Sequence, residues 1–281
     1  MKSFCIKTNN TKILDYLEKQ FIAMPLSDIY FSIKKFKLFS NIIIHYKGKN
    51  TSEFIDSCSK ILTTCIIAFY ENNIINRIIN SNYFYFDNFE KNIIKKTCIE
   101  TINSDYLANT EIKEEIWFTI SNFLNSNRNF ILDGFVNFRI FQYNKYLDTI
   151  VDLSVNKYII DREYTDFINL LKAYIDSKPE TIDIVHLIYT SNSPILLDEN
   201  RDLINFSTNN IINTPYLSDI TFSDCDFVLN TLLGLLPGKI IVHLINEEDD
   251  FINSLKLIFS SRISICKECD ICSTYSLLNK I

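Results

Sequence analysis

Hydrophobic and polar positions along the first fifty residues form patterns that predict strands and one helix. Strands are predicted at Ser3–Lys7, Ile29–Leu38 and Asn41–Tyr46, where β-branched and aromatic residues are concentrated. Between the first two strands, Thr11–Lys19 places its apolar residues on one face, as an amphipathic helix does. Residues 1–50 are therefore predicted to form a small βαββ unit.

The pattern becomes helical after this unit, and the stretch from Thr51 to Asp176 contains no proline. Apolar residues recur at helical spacing from Phe54 to Ile66, after a Thr51–Ser52 pair suited to capping a helix. Further helices are predicted at Asn88–Ile102, Lys113–Asn125, Leu132–Gln142 and Tyr146–Ile160, followed by an apolar stripe from Tyr164 to Ile175. Residues 51–177 are predicted to be a central all-helical region.

Strand and helix patterns alternate again after Lys178–Pro179, where we place a boundary. Strands are predicted at Ile182–Tyr189, Pro194–Leu197, Leu203–Phe206, Lys239–Ile245 and Ile263–Ile265. Ser223 and Asp226 have the spacing of a capping box at the start of one helix, and Asp249 precedes a second helix. Residues 178–281 are predicted to form a mixed sheet with helices, so the chain as a whole belongs to the α/β (α+β) class.

Charge and composition narrow the functional classes. The formal net charge of −6 disfavours a protein that binds nucleic acid by neutralising phosphates. Four glycines in 281 residues argue against a phosphate-cradling loop. No apolar run approaches the roughly 18 residues of a membrane span, and no secretory signal is visible. We therefore expect a cytoplasmic protein, away from membranes, whose eight cysteines are reduced thiols.

Three cysteines near the end of the chain have the spacing of metal ligands. Cys266, Cys269 and Cys272 form a C-x2-C-x2-C run, in which thiolates can converge on zinc or an iron–sulfur cluster. Ser276 stands where a ferredoxin run would have its fourth cysteine, so a distant ligand is needed. Cys225 is one candidate, and a residue of a second subunit is another. A dithiol–disulfide pair and ordinary thiols in a mobile tail are the alternatives.

Two further candidate ligands are histidines that lie in two identical five-residue segments of the sequence. Ile184–Ile188 and Ile241–Ile245 have the same sequence, with His186 and His243 at the centre of each. If these strands are neighbours, the imidazoles can approach to about 5 Å on one face of the sheet. Such a pair could bind metal or transfer protons, whereas the alternative is two hydrogen-bonded histidines without a functional role.

The N-terminal hairpin combines lysines with aromatic residues and contains no acidic residue between Asp28 and Glu53. Its candidate nucleic-acid-binding residues are Lys34, Lys35, Lys37, Lys47 and Lys49. Aromatic rings beside lysines suit single-stranded nucleic acid or an acidic protein surface. A strand that alternates aromatic residues in the core with lysines in solvent would give the same pattern. The net negative charge of the chain makes nucleic-acid binding the weaker of these interpretations.

Several short sequence segments in the middle of the chain form a distinctive pattern. They are Gly134–Arg139, Tyr146–Val151, Asn156–Tyr158, Arg162–Tyr164 and Asp166–Lys172. With the segments Asp183–His186, Asp198–Asn200, Lys239–Leu244 and Cys266–Cys272, they resemble the YtxC-like family of proteins linked to sporulation in endospore-forming bacteria. The resemblance is good from about residue 130 to the end of the chain.

This resemblance implies a cytoplasmic protein of a spore former that acts during sporulation, and it implies no reaction or catalytic residue. Within the pattern, Phe135, Phe138 and Arg139 lie on an amphipathic segment. They are predicted to serve either in core packing with one structural arginine or as a binding surface.

These observations favour a non-enzymatic interaction or regulatory protein whose partner is another protein of the sporulation programme. The first alternative is a metal-binding or thiol redox protein that uses the cysteine run. The second alternative is single-stranded nucleic-acid binding through the N-terminal hairpin.

Overall fold

A computed structural model describes the chain over residues 2–37, 39–190, 194–204, 223–245, 247–266 and 268–278. The chain forms two compact units, Met1–Ile160 and Asp161–Ile281. The sequence-based division into 1–50, 51–177 and 178–281 is finer than this and stays a prediction. Within the described residues, no helix combines the length and apolar character needed to cross a membrane.

The first unit contains a four-stranded sheet in the order β2-β3-β1-β4. Its strands are β1 (Lys2–Thr8), β2 (Ile29–Lys35), β3 (Ser40–Tyr46) and β4 (Asn129–Ile131). The pairings β1–β3 and β2–β3 are antiparallel, and β4 pairs with β1 in parallel. Alternate residues such as Phe4, Ile6, Ile42 and Ile44 are buried, so one face of the sheet covers the core.

Helices make up most of the remainder of the first unit. They are α1 (Thr11–Ile22), α2 (Thr51–Asn82), α3 (Asn88–Ser104), α4 (Tyr106–Ser126) and α5 (Leu132–Phe138), followed by α6 (Phe141–Asp176), which continues into the second unit. Asp87 and Glu90 form a capping box at the start of α3. Phe54 of α2 stacks on Tyr46 with ring centroids 4.6 Å apart, which joins helix and sheet in one core.

The second unit contains a four-stranded sheet in the order β6-β5-β7-β8. Its elements are β5 (Ile182–Tyr189), β6 (Ile195–Leu197), α7 (Asp224–Leu235), β7 (Pro237–Leu244), α8 (Asp250–Phe259), a 3₁₀ turn (Ser260–Arg262), β8 (Ile263–Cys266) and α9 (Asp270–Leu278). Strands β5, β7 and β8 run parallel, and β6 is an antiparallel edge strand.

Helices cover the two faces of this sheet differently. On one face, Val185 and Val242 join a core with Val228 of α7 and Leu255 of α8. On the other face, Ile188 and Leu197 pack with Ile271 of α9. Because side chains alternate along a strand, the α9 face also receives His186, His243 and Cys266.

The α+β class is confirmed, and the differences from prediction are local. The predicted helix Leu132–Gln142 is two elements, since α5 ends at Phe138 and α6 begins at Phe141. Strand β4 and helix α9 were not predicted. Part of Ile29–Leu38 and the end of Leu203–Phe206 lie outside the described residues, although Leu203 itself forms a bridge with Leu197.

Candidate metal centre

Three elements of the second unit bring four potential ligands together. His243 lies on β7, and Cys266 lies opposite it in register on β8. Cys269 and Cys272 flank the first turn of α9, three residues apart and therefore on one side of the helix. The end of β8 and the start of α9 thus place all three cysteines beside the histidine.

The ligand atoms of these four residues all lie within 4.8 Å of one another. His243 Nδ1 is 3.3 Å from Cys269 Sγ and 3.4 Å from Cys272 Sγ. Cys272 Sγ is 3.7 Å from Cys269 Sγ and 3.9 Å from Cys266 Sγ. His243 is buried, whereas the three cysteines are partly exposed.

The four distances above match edges of a tetrahedron around a single zinc ion, and the other two pairs of ligand atoms lie within 4.8 Å. With Zn–S bonds of about 2.3 Å and Zn–N bonds of about 2.0–2.1 Å, the ligand atoms stand about 3.8 Å (S···S) and 3.6 Å (S···N) apart. The observed sulfur–sulfur distances bracket the first value, and the sulfur–nitrogen distances are slightly below the second. The residues present therefore fit a Cys₃His zinc site.

The three thiols differ in how readily they ionise. Burial raises the pKa of Cys269, but hydrogen bonds from the backbone of Cys272 and Ile271 and from the other two thiols lower it overall. Burial, with the Cys269 hydrogen bond next, raises the pKa of Cys266. Burial and the hydrogen bonds with Cys269 and Cys266 raise the pKa of Cys272 to about 11. Cys269 is therefore the first of the three thiols to lose its proton as the pH rises, and a bound cation would deprotonate the other two.

His186 lies beside the four residues and contacts His243. Its Nδ1 is 3.0 Å from His243 Nε2, and the two rings are 5.2 Å apart and inclined by 23°. Burial and the positive charge of Arg201 lower the pKa of His186. Burial, His186 and Arg201 lower the pKa of His243. Both imidazoles are thereby kept neutral, the form in which histidine binds metals.

A cavity of about 520 Å³ opens beside the cysteines. It is lined by Leu244, Ile245, Glu268, Cys269, Cys272, Ser273 and Ser276. Cys269 and Cys272 therefore border a space that solvent enters, whereas Cys266 does not line it.

The remaining candidates lie elsewhere in the described structure. Cys225 is at the start of α7, where it is hydrogen-bonded to Tyr189, and it does not belong to the group of four. In the first unit, Phe135 is buried in the core, whereas Phe138 is 83% exposed. Arg139 lies over the ring of Phe123, at 5.6 Å from its centroid.

The five lysines of the N-terminal hairpin are exposed. Lys47 lies 4.8 Å from the ring centroid of the exposed Tyr30, while Tyr46 is buried. Phe36 is exposed as well, so alternation with the aromatics in the core describes only part of the hairpin. The role of the hairpin in binding stays a prediction.

Sequence reasoning did not identify Arg201 as a neighbour of the two histidines. Arg201 has a positive φ of 69° in the turn Asp198–Asp202, where Asp198 accepts backbone hydrogen bonds from Asn200 and Asp202. Its placement depends on the pairing of β5 with β6, which no local pattern reveals. The residue types of Asp198–Asp202 predicted a turn, but they did not predict that this turn lies near the two histidines.

Fold and site together define the class as an α+β protein with a candidate Cys₃His metal centre in its C-terminal unit. The profile of the YtxC-like family matches residues 56–264, and the chain belongs to this family. It is similar to "Uncharacterized protein YtxC" of Bacillus subtilis (strain 168), with 23% identity over 136 residues. That match covers 48% of this chain and 48% of the relative, so the chain spans about half of its length. No solved structure matches the chain.

Proposed function

We propose that this protein binds one zinc ion through Cys266, Cys269, Cys272 and Nδ1 of His243. The observation that carries the proposal is the convergence of four ligand atoms from three elements within 4.8 Å. Thiolates and a neutral imidazole are the donor set of structural zinc sites, and carboxylates are absent from this group of four.

A single ion fits the geometry better than an iron–sulfur cluster. In a [4Fe–4S] cluster each cysteine binds a different iron, and in a [2Fe–2S] cluster at most two cysteines share one, so three cysteine sulfurs of a cluster stand further apart than three ligands of a single ion do. The distances of 3.7 and 3.9 Å between cysteine sulfurs are those of ligands sharing one centre. Zinc is the proposed ion because it accepts tetrahedral sulfur and nitrogen ligands without redox chemistry.

The proposed centre is structural rather than catalytic. Four protein ligands fill a tetrahedron, whereas a catalytic zinc keeps one position for water or substrate. The ion would join β7, β8 and α9, and so fix the end of the chain on the sheet. This is consistent with a protein that acts by binding other molecules and catalyses no reaction.

The wider role we propose is a cytoplasmic interaction or regulatory protein of the sporulation programme, with a protein partner. Membership of the YtxC-like family supports the link with sporulation that the sequence resemblance implies. Affinity purification of the tagged chain from sporulating and vegetative cells tests this role. A specific protein partner in sporulating cells is expected, and an equal set of partners in both states contradicts it.

Elemental analysis of protein purified without chelator tests zinc binding directly. We expect about one zinc per chain, and a loss of most of it in Cys272→Ser and His243→Phe variants. Cys225→Ser is the matched control, because Cys225 is a free thiol of the same unit outside the cluster. Zinc below about a tenth of an equivalent, or retained in the ligand variants, overturns the proposal, since structural zinc is tightly held.

A further inference from the structure

The two ring nitrogens of His243 face different neighbours. Nδ1 faces the sulfur atoms of Cys269 and Cys272, at 3.3 and 3.4 Å. Nε2 lies 3.0 Å from Nδ1 of His186. The second nitrogen of a metal-bound histidine is usually held by a hydrogen-bond acceptor, which sets the tautomer and the orientation of the ring. Here an imidazole stands in the position of that acceptor.

The proton positions follow from this arrangement. A neutral His243 that binds an ion through Nδ1 carries its proton on Nε2, and Nε2–H is then the donor. His186 Nδ1 must be the acceptor, which requires the proton of His186 to be on its Nε2. Zinc binding therefore selects the Nε2–H tautomer in both rings.

The backbone holds this pair rigidly. His186 lies on β5, between β6 and β7, and His243 lies on the adjacent β7. The parallel register sets His186 opposite Ile241 and His243 opposite Ile188, so the histidines are diagonal neighbours on one face. Ile188 packs with Ile271 of α9 beside them. A site supported by central strands keeps its geometry better than one supported by loops.

We propose that His186 is a positioning residue of the metal centre, which accepts a hydrogen bond from His243 and directs His243 Nδ1 to the ion. This inference rests on the proposed zinc site and adds a residue that is not itself a ligand. His186 acts through His243, so its loss should weaken zinc binding without removing a bond to the ion.

Two variants separate the hydrogen bond from the space that the ring fills. His186→Phe keeps a ring but lacks an acceptor, and His186→Asn retains an oxygen close to the position of Nδ1. We expect His186→Phe to bind zinc about 10–100-fold more weakly in a competition titration, as losses of such partners generally do. His186→Asn should remain close to the unmodified chain. His45→Phe is the control, because His45 lies in the first unit with Ser3 Oγ 2.8 Å from its Nδ1.

Imidazole nitrogen NMR of the unmodified, zinc-loaded chain gives the second readout. We expect His243 to be metal-bound at Nδ1 and protonated at Nε2, with His186 also protonated at Nε2. His186→Phe should leave the Nε2 proton of His243 in faster exchange with water. Because the unmodified chain is observed directly, this readout stands even if His186→Phe fails to fold.

The outcomes of these experiments distinguish the two proposals. Absence of zinc from the unmodified chain defeats the zinc site itself. Zinc bound with unchanged affinity in His186→Phe overturns only the positioning role. His243 bound to zinc through Nε2 overturns both the positioning role and the Nδ1 ligand of the proposed site. Direct coordination of zinc by a nitrogen of His186 would overturn the positioning role as well, because His186 would then be a ligand.

Discussion

At the scale of residues, the cysteines of this chain fall into chemically different environments. Cys58, Cys65 and Cys98 are fully buried among the helices of the first unit. Burial raises the pKa of all three thiols, and that of Cys65 reaches about 12. Thiolates are the reactive form, so these buried thiols are inert at neutral pH. The thiols of Cys266, Cys269 and Cys272 are partly exposed, so their reactivity depends instead on whether they are bound to an ion.

Alkylation followed by mass spectrometry tests this difference. In zinc-loaded protein at neutral pH, Cys266, Cys269 and Cys272 should be protected from iodoacetamide, because their lone pairs are bound to the ion. Chelation should change them from nearly unmodified to largely modified, with Cys269 reacting first because its pKa is lowered.

The buried thiols of the first unit are the internal control for this alkylation. They should stay unmodified in both samples and react only after denaturation. Equal labelling of the cysteine run with and without chelator would show that no ion protects it.

The metal ligands could be predicted only in part from the residues themselves. The spacing of Cys266, Cys269 and Cys272 identified three candidates, because ligands close in sequence define a local geometry. His186 and His243 lie in identical five-residue segments, so the sequence could not show which of them is the fourth ligand. The sheet order separates them, since β7 lies next to β8 and β5 does not. His243 is therefore opposite Cys266, and His186 is one strand further away.

At the scale of elements, α9 is the part of the structure whose position depends most on the proposed ion. It spans Asp270–Leu278, and an isolated helix of this length is marginal in water. Its residue Ile271 is 9% exposed and packs with Ile188 and Leu197, a much smaller cluster than the main core of the unit. Two ligands at its first turn would supply the remaining attachment.

Hydrogen exchange tests the attachment of α9. Removal of zinc should raise the exchange of the backbone amides of 270–278 towards the rate of an unfolded segment, because the side chains described for this helix join only the small cluster around Ile271. Helix α8, Asp250–Phe259, is the control, since Ile252, Leu255, Ile258 and Phe259 are buried in the main core of the unit. Unchanged protection of 270–278 after chelation would show that packing alone holds α9.

The elements missed by sequence patterns are the short ones. Strand β4 has three residues, Asn129–Ile131, too few to display a period of two. Its parallel pairing places Phe130 opposite Ile6 of β1, far away in sequence. Long helices repeat their apolar stripe, so parts of them were predicted. The stripe from Phe54 to Ile66 lies in α2, and the segments Tyr146–Ile160 and Tyr164–Ile175, predicted separately, belong to the single helix α6. Tertiary pairing, rather than local preference, makes β4 a strand.

At the scale of the whole molecule, the candidate metal centre belongs entirely to the second unit. His243 and the cysteines 266–272 lie beyond Ile160, where the first unit ends. The first unit has its own large core, which includes Phe4, Phe54 and Phe130. An ion that binds only the folded second unit should therefore stabilise that unit and leave the stability of the first unchanged.

Thermal unfolding with a probe for each unit tests this expectation. Trp117, the one tryptophan of the chain, lies in the first unit and donates a hydrogen bond to Asp56, so its fluorescence reports that unit. Zinc at about 100 times its dissociation constant stabilises the folded state by about 2.7 kcal/mol. For a domain of this size, such a change corresponds to a shift of roughly 10 °C in unfolding temperature. Calorimetry should show that shift in one transition, while the Trp117 transition stays in place.

The Cys272→Ser variant is the control for thermal unfolding, because it should abolish the zinc-dependent shift while the Trp117 transition is unaffected. A shift of the Trp117 transition with zinc would contradict a centre confined to the second unit. A shift that persists in Cys272→Ser would mean that zinc binds elsewhere. The zinc-dependent stabilisation should be lost when a ligand is lost, because an ion raises the unfolding temperature only through contacts that the folded state makes and the unfolded chain does not.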